Sequence, residues 1–328
     1  MRARLFDADG HDRAIDIERE GLPEVDSRQL VWVDVDLEVG DDLPPAVTER
    51  LGLREVDRRR IVRDTGRAGV YAASGRLHLT LIAVEPVGDG DLAAKDPDVE
   101  LAAREVDLVA VPGLVVSIRR GRVAALERFE ARLGDDTAIG AIDAGDLLSA
   151  LVDELISGYL DVTEAIERRI DRLDEIALRG RRGVDVLDEI VRLRRRISQV
   201  RRVLAPHRAA LASLARPEVG ADESLGAPWP GLVDRIEHAT ASVEALRTAL
   251  LGTYDIHMGR EAQRANDVMK LLTLLSAVLL PAVVLAGIMG MNFHVPFFDD
   301  PGNFFVVLVA MAAFSLALVG LARWRGWW

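Results

Sequence analysis

Gly290-Met291-Asn292 ends a run, Leu271 to Asn292, that carries no charged side chain. Asparagine beside glycine brings a neutral side-chain carbonyl close to main-chain carbonyls that a helix end leaves without partners. Neutral oxygens suit a hydrated Mg²⁺, which gives up its water reluctantly; a ring of them could hydrogen-bond the hydration shell without stripping it. Glycine permits a backbone bend at the helix terminus. The same tripeptide also fits an ordinary helix C-cap followed by a turn. Read as a helix, the run and its approach place Asn266, Thr273, Ser276, Leu280, Val283 and Gly287 at spacings of three, four or seven, on one stripe. Small and polar residues on one stripe of an apolar helix face either a water-filled path or a partner helix, and Ser, Thr and Gly serve close packing equally well.

Both readings need a membrane span to carry the stripe. Leu271 to Asn292 and the second uncharged stretch, Phe304 to Ala322, are each long enough to cross the hydrocarbon core. Arg260, Arg264 and Lys270 precede the first, Arg323 and Arg325 follow the second, and only Asp299 and Asp300 are charged between Lys270 and Arg323. The excess of basic residues on one side predicts a cell-membrane protein with both termini cytoplasmic and an outward-facing loop. Trp324, Trp327 and Trp328 would anchor the inner interface. The N-terminal MRARLFDADGHDR has no apolar core of the signal-peptide kind, so targeting is expected from the C-terminal spans.

The remainder reads as soluble and acidic. A net charge of −12 argues against nucleic acid as a partner and is compatible with metal cations or with plain solubility. With no cysteine, disulfides, thiolate metal sites and a cysteine nucleophile are excluded. No phosphate-binding loop, metalloprotease helix or catalytic triad ordering is present, so no enzyme and no organic cofactor are expected. Asp7, Asp9, Gly10 and Asp12 look like a calcium loop but put glycine at the fourth rather than the sixth position, and read as a solvated terminus. The arginines at 192, 194, 195, 196, 201 and 202 fit anionic lipid, a pore mouth or a solvated helix face.

The expected fold is an α+β multi-domain membrane protein. Residues 1–142 form a cytosolic α/β domain with half-buried strands at Leu30–Leu37 and Arg76–Ile82. Two further strands join at the Pro112-Gly113 turn, and Pro44–Leu53 reads as a helix. Gly88–Glu100 reads as an acidic loop. Residues 143–230 hold a long amphipathic helical hairpin, stopped at 179–183, and a Gly/Pro-rich connection. A stalk helix occupies 231–270, the first transmembrane helix 271–289, an extracytoplasmic loop 290–303, the second transmembrane helix 304–322 and a tail 323–328. As one helix, Gly231 to Met289 would be about 90 Å long. A single copy of such a helix has little to pack against, which implies an oligomer.

The run Asn266-Asp267-Val268-Met269-Lys270-Leu271-Leu272-Thr273, then Pro281, Gly287 and Gly290-Met291-Asn292-Phe293, resembles the CorA family of divalent-cation (magnesium/cobalt) transport proteins, whose hallmark is GMN at the outer end of the first of two C-terminal spans. The motif-level resemblance covers about 255 to 328; the part before it agrees in organisation. It implies a homopentameric channel in the lipid bilayer that moves Mg²⁺, with Co²⁺ or Ni²⁺ as further passengers. Gly290, Met291 and Asn292 would form the selectivity filter, with Asn292 as the ring nearest the hydrated ion. Leu272 and Leu280 match apolar constrictions. Asn266, Met269, Val283 and Gly287 would line the pore. Asp255 matches an acidic ring near the cytosolic end, although a solvated stalk carboxylate fits it too. Mg²⁺ is implied also as a regulatory ion that closes the channel from the cytosol, for which Asp234 and Glu237 are the stalk carboxylates to consider; both fit plain surface charges as well. Where many members carry Met-Pro-Glu-Leu after the motif, this chain has His294-Val295-Pro296-Phe297-Phe298-Asp299-Asp300. An imidazole there favours softer ions such as Zn²⁺, which keeps open the proton-coupled zinc branch, ZntB. A membrane-anchored scaffold or signalling protein is the alternative from a different class.

Overall fold

The computed structural model describes residues 1–9, 11–38, 41–63, 66–73, 75–86, 101–133, 143–179, 185–214, 229–291 and 301–325. Among these residues, seven strands form one mixed sheet: β1 (Arg2–Asp7), β2 (Arg13–Ile15), β3 (Gln29–Asp36), β4 (Gly69–Ala73), β5 (Arg76–Pro86), β6 (Leu101–Val111) and β7 (Leu114–Arg119). Their order is β2-β1-β3-β7-β6-β5-β4, and only β3 and β7 run parallel. Among the described residues, three short helices lie between strands, α1 (Ile17–Glu20), α2 (Pro45–Arg50) and α3 (Glu55–Val62), and a fourth, α4 (Ala124–Arg132), follows β7. Long helices follow: α5 (Ala144–Arg179), α6 (Val186–Leu214), α7 (Trp229–Met289) and α8 (Pro301–Trp324).

The β6–β7 hairpin closes at Pro112-Gly113, as that dipeptide predicts. Gly113 has φ +78°, and a Cβ there would lie 2.6 Å from Val25 Cγ2, so both the backbone and the space demand glycine. Asp7 and Asp12, expected in a solvated terminus, instead hold the turn between β1 and β2: the Asp7 N–H donates to Asp12 Oδ1 at 3.0 Å and the Asp9 N–H to Asp7 Oδ1 at 3.0 Å. Short acidic side chains stabilise turns by bonding to backbone N–H groups.

One sheet face packs Val31, Val33, Val35, Val109, Val116 and Ile118 against Leu43, Val47, Leu51 and Ile61. On the helical side α5 packs on β5, β6 and β7, and α6 on β4 and β5. The alternation in β3 and β5 predicts strands half open to water; the structure buries both faces. Arg76, His78 and Thr80, which alternate with Leu77, Leu79 and Leu81, are all buried. Their polar groups are matched inside the protein. Arg76 meets Asp57 at 2.8 Å, and Asp107 Oδ1 accepts from the Thr80 hydroxyl at 2.7 Å and lies 2.7 Å from His78 Nε2. In β3, buried Asp34 accepts from Ser117 at 2.7 Å and Arg119 at 3.0 Å. Polar residues survive burial when each finds a partner, so alternation alone does not report which strand face meets water.

The described chain forms two compact units, Met1–Tyr254 and Asp255–Trp328. In the first, the N-terminal part of α7 buries Leu232, Ile236, Ala239, Val243, Leu246 and Leu250 at helical spacing. In the second, α7 runs on without interruption to Met289, and Gly302–Trp324 of α8 is the second helix long and apolar enough to cross a membrane.

Candidate functional site

Every residue expected on the stripe lies in the continuous α7 helix. At about 100° per residue, Asp255, Asn266, Met269, Leu272, Leu280, Val283 and Gly287 fall within an arc of roughly 120°. All are exposed; Leu280, for example, is 67% exposed. None of the apolar window that qualifies α7 as a span is buried within the chain, and the same holds for α8. Apolar helices bare all round belong against lipid or against other copies of themselves. Asp255 and Asn266 make no side-chain hydrogen bond or ion pair among the described residues. Around them the charges neutralise one another within α7: Glu261 pairs with Arg264, and Asp267 with Lys270 at 3.2 Å. The stripe therefore passes from a charged stretch with local pairing into an uncharged one.

Pro281 adds a group the side-chain pattern does not display. Proline has no N–H, so the Ala277 carbonyl lacks its helical donor. Ala277 lies at the edge of the same arc, so this main-chain oxygen joins the few polar groups of the span. Spanning helices tolerate proline where neighbouring helices, side chains or water satisfy the freed carbonyl. The signal was in the sequence, four residues before the proline.

At the end of the span, the Gly290 N–H donates to the Ala286 carbonyl at 3.0 Å and the Met291 N–H to the Ile288 carbonyl at 3.2 Å, so the last turn tightens before the helix stops. The bend expected from glycine is not a left-handed one: Gly290 is absent from the glycines of positive φ, and an added Cβ would meet the Ala286 carbonyl at 3.4 Å, an ordinary contact. The local backbone does not require glycine here. Met291 is exposed. Asn292, together with His294, Asp299 and Asp300, lies outside the described residues.

The stalk carboxylates Asp234 and Glu237 are both exposed, one turn apart on α7. Glu237 Oε1 accepts from Arg208 Nε at 3.1 Å and Nη2 at 3.0 Å. Both side chains of this pair are about half exposed, so it is a weak surface contact. Among the described residues no three His, Asp or Glu side chains converge on a point that could hold a metal. Two buried glutamates of the first unit are held by arginines: Glu154 by Arg128 and Arg132, and Glu189 by Arg169 and Arg192.

The fold has close counterparts. The complete structure of the CorA magnesium transporter from Methanocaldococcus jannaschii superposes with a TM-score of 0.72 over 100% of this chain and 99% of that one, at 19% identity. Full-length CmaX gives a TM-score of 0.70 over 98% and 96% of the two chains, also at 19% identity. The cytoplasmic domain of ZntB from Vibrio parahaemolyticus gives 0.52 over 80% of this chain and 98% of that one, at 12% identity. At such identities the likeness is one of fold. In sequence, the chain is 26% identical to a cobalt/magnesium transport protein, CorA, of Thermotoga maritima, across 70% of this chain and 66% of that protein. It is 28% identical to the divalent cation transporter CmaX of Pseudomonas aeruginosa, across 65% and 62%. The model of the family described as CorA-like Mg²⁺ transporter protein matches residues 27–321, which takes in the sheet from β3 onward, the long helices and nearly all of both apolar spans, and the chain belongs to that family.

Proposed function

We propose that the chain assembles into a homopentameric, passive channel for hydrated Mg²⁺ in the cell membrane, both termini cytoplasmic, with Co²⁺ and Ni²⁺ as further passengers. The observation that carries this reading is that Gly290 and Met291, with Asn292 next in sequence, follow an uncharged helical span with no buried residue, whose small and polar residues share one arc. One chain supplies one asparagine and one arc; enclosing an ion takes several copies around an axis. In that arrangement the Asn292 carbonyl and the main-chain oxygens at Gly290 hold the hydration shell at the outer ring. Leu272 and Leu280 form rings that close the path by dewetting. Asn266 and Asp255 present neutral and anionic oxygens at the other end of the stripe. No ATP is needed, since concentration and membrane potential drive the ion. Inhibition of flux by internal Mg²⁺ belongs to the reading, with Asp234 and Glu237 the stalk carboxylates to test as its ligands.

Reconstitution in liposomes tests it. Wild-type protein should admit Mg²⁺, and Asn292→Ala should abolish entry while eluting as the same oligomer. Undiminished flux through Asn292→Ala would remove the filter role. Zn²⁺ entry that follows a proton gradient, with no Mg²⁺ entry, would transfer the chain to the zinc-transporting branch. Silence toward every ion from an intact oligomer would leave the scaffold reading standing.

A further inference from the structure

In a chain whose acids outnumber its bases by 53 to 41, one concave surface of the first unit has the opposite sign. An open groove of about 690 Å³ lies between α6 and the segment leading into β4. Its charged lining is Arg67, Arg201 and Arg202, with no acidic residue, and its other lining residues are all alanine, glycine or proline. That volume is in the range of small-molecule sites.

We propose that this groove binds a phosphate-bearing organic anion of nucleotide size. Four features carry the inference. First, guanidinium groups reach it from two elements, Arg201 and Arg202 from α6 and Arg67 from the approach to β4, and planar forks of this kind recognise phosphate oxygens in pairs. A polyphosphate can engage both sides, whereas one inorganic phosphate is small against the volume. Second, the two arginines of α6 are available. Arg202 is exposed and makes no hydrogen bond or ion pair among the described residues. Arg201 meets only Glu244, at 3.4 Å, with both side chains about half exposed; such a pair is weak and exchanges partners at little cost. Third, the floor is small and open. Ala205 and Ala209 are exposed, and a Cβ added to Gly69 would meet nothing within 4 Å, which leaves room for a flat group to lie against α6. Fourth, Pro206 within α6 has no N–H, so the Arg202 carbonyl lacks its helical donor and offers an acceptor to a ligand amino or hydroxyl group. Phosphate charge and a hydrogen-bond donor on one flat molecule describe a nucleotide better than a simple anion. The site is separate from the stripe on the span, and the inference stands whether or not that stripe conducts.

Equilibrium dialysis of the purified full-length protein in detergent, with ATP, ADP, pyrophosphate and inorganic phosphate as probes, tests the proposal. ATP should bind saturably and more tightly than inorganic phosphate, and free ATP more tightly than its Mg²⁺ complex, because Mg²⁺ cancels part of the charge the arginines read. Arg202→Glu should weaken ATP binding at least tenfold. Ala209→Trp, which fills the groove from an exposed helix position without touching a charge, should do the same. Arg194→Glu, at an exposed arginine of α6 outside the groove, should leave binding unchanged; circular dichroism and elution volume identical to wild type keep the comparison fair. No saturable ATP binding, or equal weakening by Arg194→Glu and Arg202→Glu, would overturn the proposal. So would displacement of ATP by phosphatidylglycerol nanodiscs through the same Arg202 dependence, since the guanidiniums would then belong to a lipid headgroup.

Discussion

His207 ties α6 to the sheet through one neutral imidazole, and acid should loosen that tie. The side chain is 1% exposed. Its Nε2 accepts the Ile82 N–H at 2.8 Å and its Nδ1 faces the Val203 carbonyl at 2.7 Å, so the ring proton belongs on Nδ1. The buried Tyr159 hydroxyl donates to the Ile82 carbonyl, bringing α5 into the same junction. A proton on Nε2 would set one N–H against another, and burial lowers the His207 pKa from 6.5 to about 4. The unfolded chain takes up this proton near 6.5 and the folded chain only near 4, so between those values the unfolded state binds more protons. The stabilisation is fully present above the unfolded value and is lost as pH falls toward the folded one. At ~1.36 kcal/mol per pKa unit the whole loss is about 3 kcal/mol, of which roughly 2 kcal/mol falls between pH 7 and pH 5. Guanidinium unfolding of the full-length protein in detergent, at those two pH values, measures it for wild type and His207→Gln. The variant begins less stable, but its loss on acidification should be smaller than that of wild type by about 2 kcal/mol. Equal acid-induced losses in the two proteins would refute the assignment of a neutral, proton-refusing His207.

Three further outcomes are expected. Leu280→Ala should raise resting Mg²⁺ leak in liposomes, because a smaller side chain widens and wets the ring that this exposed leucine is proposed to form; unchanged leak would deny it a gating role. Gly113→Ala should destabilise the first unit by roughly 2 kcal/mol, from left-handed backbone strain plus the approach to Val25, and Val25→Ala in the same chain should recover only the steric part, as read from unfolding midpoints. Asp57→Ala leaves the Arg76 guanidinium buried without its carboxylate and should cost about 3–5 kcal/mol, whereas replacing both residues by apolar ones should restore much of it; a near-neutral single substitution would show that the Leu51 and Gly52 carbonyls, which Arg76 also bonds, suffice.

The long helices and the spans were legible because their signals are local. The apolar positions of α5 recur every three or four residues from Leu147 to Leu173, and its end at Arg179 precedes the Gly-containing stretch that predicts a stop. Likewise α7 begins at Trp229, within two residues of the expected start at Gly231, and α8 covers the second uncharged stretch. Strands β3, β5, β6 and β7 were legible too, though β6 begins at Leu101, five residues before the expected Val106. In contrast, β1, β2, β4, α1 and α4 went unread. β2, α1 and β4 are only three, four and five residues long, and β2 and β4 are the two edges of the sheet, where one neighbour supplies what little pattern the strand needs.

Taken alone, the sequence determined the two apolar helices long enough to span a membrane, the stripe along α7 and the tripeptide that follows it, because charge absence and helical period are properties of consecutive residues. It did not determine which residues stand opposite one another. The parallel pairing of β3 with β7, the burial of His78 and Asp107 on what reads as a polar strand face, and the His207 bond to Ile82 each join residues distant in sequence. Those pairings depend on how the chain closes on itself, and closure is decided by the packing of all the faces together.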